Sequence, residues 1–213
     1  LGGGISIMWA MEKEDIARCL EEIDGTKEPS LRTLRMAKLL QSLFAERGSR
    51  IIVVGGSAVE LLTDGLYASG DVDICFDVQR PPMRVIAEVM AQIGATGGVR
   101  SYRRDDLFID ILGAVETLAR TEFREIDGVS IAKPEDLIAE RVLMSIYPQP
   151  NPDARTCAEK LLAVAESGEL PVDWTEAERV AALPEYGVLD ELRSLRAEVA
   201  DRCGTWSEED RSL

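Results

Sequence analysis

Not one of the 213 residues is histidine. That absence excludes Ser-His-Asp and Cys-His catalysis, histidine-ligated metals and histidine-dependent ribonuclease chemistry. Any catalysis then rests on carboxylates, a metal, and arginine or lysine. Cysteine is sparse, and Cys19, Cys75, Cys157 and Cys203 show no C-x-x-C spacing, so neither a zinc site nor a disulfide framework is expected. A reducing cytoplasm suits such a chain best. Positive charge is also short: residues 1–50, 51–132 and 133–213 carry net charges of 0, −6 and −9, which make up the total of −15. An extended nucleic-acid surface needs many Lys and Arg, so none is expected, although a local basic patch for an RNA end stays compatible with these numbers. No apolar run approaches the roughly 18–20 residues of a membrane span, and no membrane partner is expected. The opening LGGGISIM is too short for a signal peptide and reads as part of a disordered leader over 1–10.

What is present concentrates between Ile51 and Val78, IIVVGGSAVELLTDGLYASGDVDICFDV. Ile51–Val54 is a short β-branched run that stops at Gly55-Gly56, and Ser57 opens a segment in which Val59, Leu61 and Leu62 suit a helix. Glycines at such a turn let backbone approach a ligand closely, and free N–H groups at a helix start attract an anion such as phosphate. From Asp71 to Val78 polar and apolar residues alternate, which places Asp71, Asp73 and Asp77 on one strand face and Val72, Ile74, Phe76 and Val78 toward the core. At a rise of roughly 3.3 Å per residue, Asp71 and Asp73 stand roughly 6.6 Å apart at Cα, so both carboxylates can reach one cation. Like charges this close raise each other's pKa, and a divalent ion relieves them. An alternating strand also carries aspartates merely as its wet face.

The conjunction of a strand, Gly-Gly-Ser, a helix and then a D-x-D strand resembles the signature of the polymerase-β-like nucleotidyltransferases. GGSAV followed by SGDVD, with Ser69 in the S/T place, looks most like the AbiEii-type toxin nucleotidyltransferases and their bacterial relatives. Two other phosphate motifs fit less well, because the glycines form neither G-x-G-x-x-G nor a turn followed by G-K-[ST]. The helix KPEDLIAERVL resembles the group's E-x-L-x-x-x-K element with Arg141 at the lysine position. The following R-D-x-x-D start would place its aspartates at Asp153 and at residue 156, which here is Thr156. Arginine and lysine are not interchangeable, and threonine lacks the carboxylate, so this second half departs from the pattern.

Around that centre, Met11–Leu20 and Leu31–Ala45 read as helices, the second starting near Pro29-Ser30. Met83–Ile93 reads as a crossover helix ending at Gly94, followed by a strand at Val99–Arg103, a turn at Arg104-Asp105-Asp106 and a strand at Leu107–Leu112. In this last strand Asp110 shares a face with Phe108 and Leu112. A carboxylate between two large apolar neighbours is costly to bury unpaired, which marks it for a special role. Phe123–Ile126 and Val129–Ala132 read as a hairpin about Asp127-Gly128. Helices are expected from Pro134, from the PNPD of residues 150–153 through Val164, over Thr175–Leu183 and over Val188–Arg202, with a mobile acidic tail over 207–213.

The sequence therefore leads to an α/β expectation: a nucleotidyltransferase core with a mixed sheet of about five strands over 11–132, with N-terminal helices, and a helical region over 133–206. The resemblance implies transfer of a nucleoside monophosphate from an NTP, with Mg²⁺ or Mn²⁺ held by Asp71, Asp73 and Asp110. It also implies nucleotide contacts from Gly55, Gly56, Ser57, Ser69 and Arg141. The acceptor stays open among an RNA end, a protein and a small molecule, and a toxin–antitoxin setting would add a cognate partner. The alternatives are a nucleotide-binding module without turnover and a protein that acts by contact alone.

Overall fold

The computed structural model describes residues 11–77, 79–113 and 123–204. The expected leader over 1–10, the expected acidic tail over 207–213 and Val78, expected to face the core, lie outside them. Helices α1 (Lys13–Asp24) and α2 (Pro29–Ala45) lead into β1 (Ile51–Val53), α3 (Gly55–Leu62) and β2 (Asp71–Phe76). Helix α4 (Met83–Gln92) then precedes β3 (Thr96–Gly98), β4 (Ser101–Arg104) and β5 (Leu107–Ile111), and the hairpin β6 (Phe123–Ile126) and β7 (Val129–Ala132) follows. Four helices complete the order: α5 (Pro134–Ile146), α6 (Pro152–Glu166), α7 (Trp174–Ala181) and α8 (Leu189–Gly204).

Several boundaries have visible causes. Proline opens α2, α5 and α6, where a missing N–H costs nothing. Glu28, Asn151 and Asp173 accept backbone N–H bonds at the starts of α2, α6 and α7. Each cap therefore fixes where a helix begins.

Among the described residues the sheet has seven strands in the order β3-β4-β5-β2-β1-β7-β6, against the about five expected. Pairs β1/β7 and β2/β5 are parallel and the others antiparallel, so the sheet is mixed. The strand missing from the expectation is β3, whose Thr-Gly-Gly is exposed throughout and carries no apolar signal. Val99, expected to begin a strand, instead has φ +59 in the turn between β3 and β4.

Helix α2 packs on β1, β2 and β7, and α4 packs on α2 and β3. Phe44 of α2 meets Phe76 of β2 edge to face at 5.1 Å. Helices α3, α5 and α6 pack together, and α5 also contacts α7 and α8. One buried cluster runs from Ile16 to Val199 and spans the sheet and the C-terminal helices. Strands β1 and β7 are buried along their whole length, whereas β4, β5 and the first half of β2 alternate between buried and more open positions. Among the described residues, that part of the sheet thus keeps one face without a packed layer.

Candidate functional site

The antiparallel register of β1 on β2 pairs Val53 with Ile74, so the turn after β1 falls beside Asp73. Val54 N–H donates to the Asp73 carbonyl at 3.0 Å. Gly55 then takes φ +60, and a Cβ there would stand 2.5 Å from Asp73 Oδ2. Only glycine accommodates both demands. The next N–H, of Gly56, donates to the same Oδ2 at 3.1 Å. The space at the first glycine is therefore filled by the chain's own carboxylate, at the helix N-terminus where a phosphate was expected.

The Ser57 hydroxyl, expected to face that phosphate, is turned inward. It accepts from Asp73 N–H at 2.8 Å and donates to the Val54 carbonyl at 3.0 Å, and the residue is fully buried. Its side chain ties α3 to β1 and β2. Ser69 lies against Gly56, where an added Cβ would be 2.8 Å from its Oγ, and its N–H donates to Glu60 Oε2 at 3.0 Å. Glu60 is wholly buried, which pushes its pKa up. That glutamate anchors the loop into β2, and its place in an apolar helix was the sequence signal for such a role.

Parallel pairing of β2 with β5 places Asp73 opposite Asp110 and Asp71 opposite Phe108. Paired residues on neighbouring strands point to the same side, so Asp71, Asp73, Phe108 and Asp110 share one face. Burial pushes Asp73 up to about 6, with further upward pressure from Asp71 and Asp110, against the pull of the Arg141 charge and the Ser57 N–H. Asp71 is raised by burial and then by Asp110. The expectation that Asp110 is enclosed by apolar neighbours is corrected here: Phe108 is 43% exposed, and the core face of β5 is Leu107, Ile109 and Ile111. Asp77 lies past the end of β2 and pairs with Arg50 at 3.8 Å.

From the other side, α5 contributes Arg141, whose side chain is 14% exposed and ion-paired with the nearly buried Glu140. Its charge reaches Asp73 and Cys157, and its buried Nε has no hydrogen-bond partner. Three neighbours escaped the sequence reading. Tyr67, pushed up to about 12 by burial and then by Cys157, stands 3.5 Å from the point where a Gly56 Cβ would lie. Lys160 donates to the Leu66 carbonyl at 2.7 Å and lies 5.9 Å from the Tyr67 ring centre. Cys157 is raised by burial. No spacing links Tyr67 to a helix ninety residues onward, so the sequence held no local signal for them. Asp153 stands exposed in the first turn of α6, and Thr156 Oγ1 donates back to the Pro152 carbonyl at 2.9 Å.

Among the described residues, no three His, Cys, Asp or Glu side chains gather as a ready metal-holding group. The donors on the open face are nevertheless of the right kind, since carboxylate oxygens suit a hard divalent cation. Mg²⁺ in particular binds through one or two carboxylates together with substrate phosphates, so a complete protein cage is not required. The donor set fits such an ion.

No protein-family profile and no curated protein matches this chain. Among solved structures, it is similar over 80% of its length to 98% of the antibiotic-resistance factor ANT(2'')-Ia, at 13% identity and TM-score 0.46. It is similar over 83% to 89% of an antigenic nucleotidyltransferase-like protein from Paracoccidioides brasiliensis, at 17% identity and TM-score 0.47. A third similarity covers 89% of this chain and 99% of JHP933 from Helicobacter pylori, at 14% identity and TM-score 0.45. At such distances they carry no weight for any activity. None of the helices among the described residues is long and apolar enough to cross a membrane.

Proposed function

We propose that the chain is a nucleotidyltransferase that moves a nucleoside monophosphate from an NTP to an acceptor hydroxyl. The observation that supports this reading is that register sets three carboxylates on one sheet face beside a glycine turn. Asp71 and Asp73 share a strand face, Asp110 stands opposite Asp73, and Gly56 N–H closes on Asp73 Oδ2. An uncompensated group of carboxylates costs stability, which is tolerable where a cation and phosphates complete the site.

Asp71 and Asp73 would hold Mg²⁺ or Mn²⁺, with Asp110 as a third donor toward the acceptor. The bound cation supplies neutralising charge for the phosphates and lowers the pKa of the acceptor hydroxyl. Gly55, Gly56 and Ser69 shape the turn beside the triphosphate, while Ser57 acts by fixing the backbone of Asp73. Arg141 offers its guanidinium to the phosphates from α5, with Lys160 a further cation on the same side. Asp110 accepts the proton as the acceptor oxygen bonds to the α-phosphorus. The bond to pyrophosphate breaks in the same displacement, and pyrophosphate carries away the electron pair.

A second reading, nucleotide binding without turnover, draws on the Asp73 carboxylate already seated at the start of α3. Two measurements separate these readings. In calorimetry the parent binds Mg-NTP and the Asp71→Asn, Asp73→Asn double variant does not; equal affinity would remove the assignment. With labelled NTP and total cellular RNA, protein and small molecules as acceptors, Asp110→Asn retains binding and loses transfer. Absence of transfer by the parent to every acceptor would leave the binding-module reading standing.

A further inference from the structure

We infer that Phe108 and Arg103 form the acceptor wall of this site, and that the acceptor presents a flat aromatic ring bearing an anionic group. The inference rests on the nucleotidyltransferase reading above. Register carries it: Asp71 of β2 stands opposite Phe108 of β5, and Phe108 stands opposite Arg103 of β4. With strands about 4.8 Å apart, these three side chains step across a single face at that interval. Asp73, Asp110 and Ser101 form the next row on the same face. The face is open, with Ser101, Arg103 and Phe108 all exposed.

The exposed Phe108, beside the proposed carboxylates, makes no core contact, because Leu107, Ile109 and Ile111 supply those of β5. Arg103 holds its guanidinium carbon 5.5 Å from the Phe108 ring centre while its Nε donates to the Asp105 carbonyl at 2.5 Å. The nearby acid, Asp106, is gripped at both oxygens by Arg32, at 2.9 and 2.6 Å. A ring and a cation are thus presented together beside the aspartates.

The reaction geometry says which substrate meets them. Phosphoryl displacement runs in line, with attacking and leaving oxygens on opposite sides of phosphorus. The leaving pyrophosphate belongs on the β1 side, beside Gly55, Gly56 and Arg141. The acceptor therefore approaches over β5 and β4, across Phe108. Aromatic surfaces prefer a ring partner, and the guanidinium prefers an anion over the cation that the aspartates alone would select.

The test uses the full chain with Mg²⁺ and a non-hydrolysable NTP analogue, in two legs. Calorimetry of the analogue reads the nucleotidyltransferase assignment alone. Ligand-observed NMR titration then compares phenyl phosphate, cyclohexyl phosphate and benzylamine as probes. Phenyl phosphate should bind more tightly than either, and Phe108→Ala should weaken it about ten-fold, with Phe108→Tyr restoring it. Arg103→Gln should erase the preference for phosphate over amine. Analogue binding in the first leg with equal affinity for phenyl and cyclohexyl phosphate, preference for benzylamine, or indifference to Phe108→Ala would overturn the acceptor wall and leave the nucleotidyltransferase reading intact. Failure of the first leg removes both.

Discussion

Gly55→Ala offers the sharpest test of how the glycine turn and the D-x-D strand depend on one another. Two costs arise at that position, and a second glycine separates them. An L-residue at φ +60 pays about 1–2 kcal/mol for the left-handed conformation. The new methyl would also lie 2.5 Å from Asp73 Oδ2 and 3.0 Å from Asp73 Cγ, and forcing it in adds about 1–3 kcal/mol. Gly48, at φ +70, has nothing within 4 Å of its missing Cβ, so Gly48→Ala reports the conformational cost alone. For a chain of this size each kcal/mol moves Tm by about 2–4 °C, so Gly48→Ala should lower it by roughly 2–8 °C and Gly55→Ala by roughly 4–20 °C. Thermal melts in EDTA supply both numbers. Adding Asp73→Ala removes the two closest atoms and should recover the excess loss, giving a coupling of about 0.5–3 kcal/mol in the double-mutant cycle. Equal losses at Gly48 and Gly55, or strict additivity with Asp73→Ala, would refute the close approach.

Two further outcomes follow from charges in and beside the site. Asp73, raised from 3.8 to about 6 among Asp71, Asp110 and Arg141, must ionise while buried, so its contribution opposes folding above about pH 6 and vanishes below about pH 4. Urea unfolding in EDTA should therefore show Asp73→Asn more stable than the parent at pH 7.5 by at most about 3 kcal/mol, and no such gain at pH 4; the same gain at both would contradict the shift. Arg141→Ala removes the guanidinium paired with Glu140, whose side chain is only 6% exposed, and should cost about 1–3 kcal/mol in urea unfolding, part of it recovered by adding Glu140→Ala. A loss that the second substitution leaves unchanged would place the role of Arg141 elsewhere.

The parts of the site legible in the sequence were those set by short-range rules. Period-two alternation put Asp71 and Asp73 on one face, and Asp127-Gly128, with Asp127 at φ 54 and Gly128 at φ 82, made the hairpin β6–β7 readable. Strand β3 was hidden because Thr-Gly-Gly gains its pairing from β4 and its sequence advertises only a loop. The inward turn of Ser57 depended on Asp73 sixteen residues away, and a hydroxyl carries no mark of direction. Asp110 was singled out on a premise that the structure corrects. Its apolar neighbour Phe108 suggested burial, whereas alternation along β5 assigns the core to the other face. Tyr67, Cys157 and Lys160 meet only through tertiary packing, which no spacing reveals.

The uneven cover of the sheet divides the molecule into a stiff half and a yielding one. Amides of β1 and β7, enclosed on both faces, should exchange with solvent only on global opening, while the exposed edge at β3 and β4 opens locally at far lower cost. The glycine turn that follows β1 belongs to the stiff half, and Arg103 of the proposed acceptor wall to the yielding half. Substitutions along β3 and the outer face of β4 can therefore accumulate with little loss of folding stability, so under the proposed function acceptor choice is free to drift while the glycine turn stays fixed.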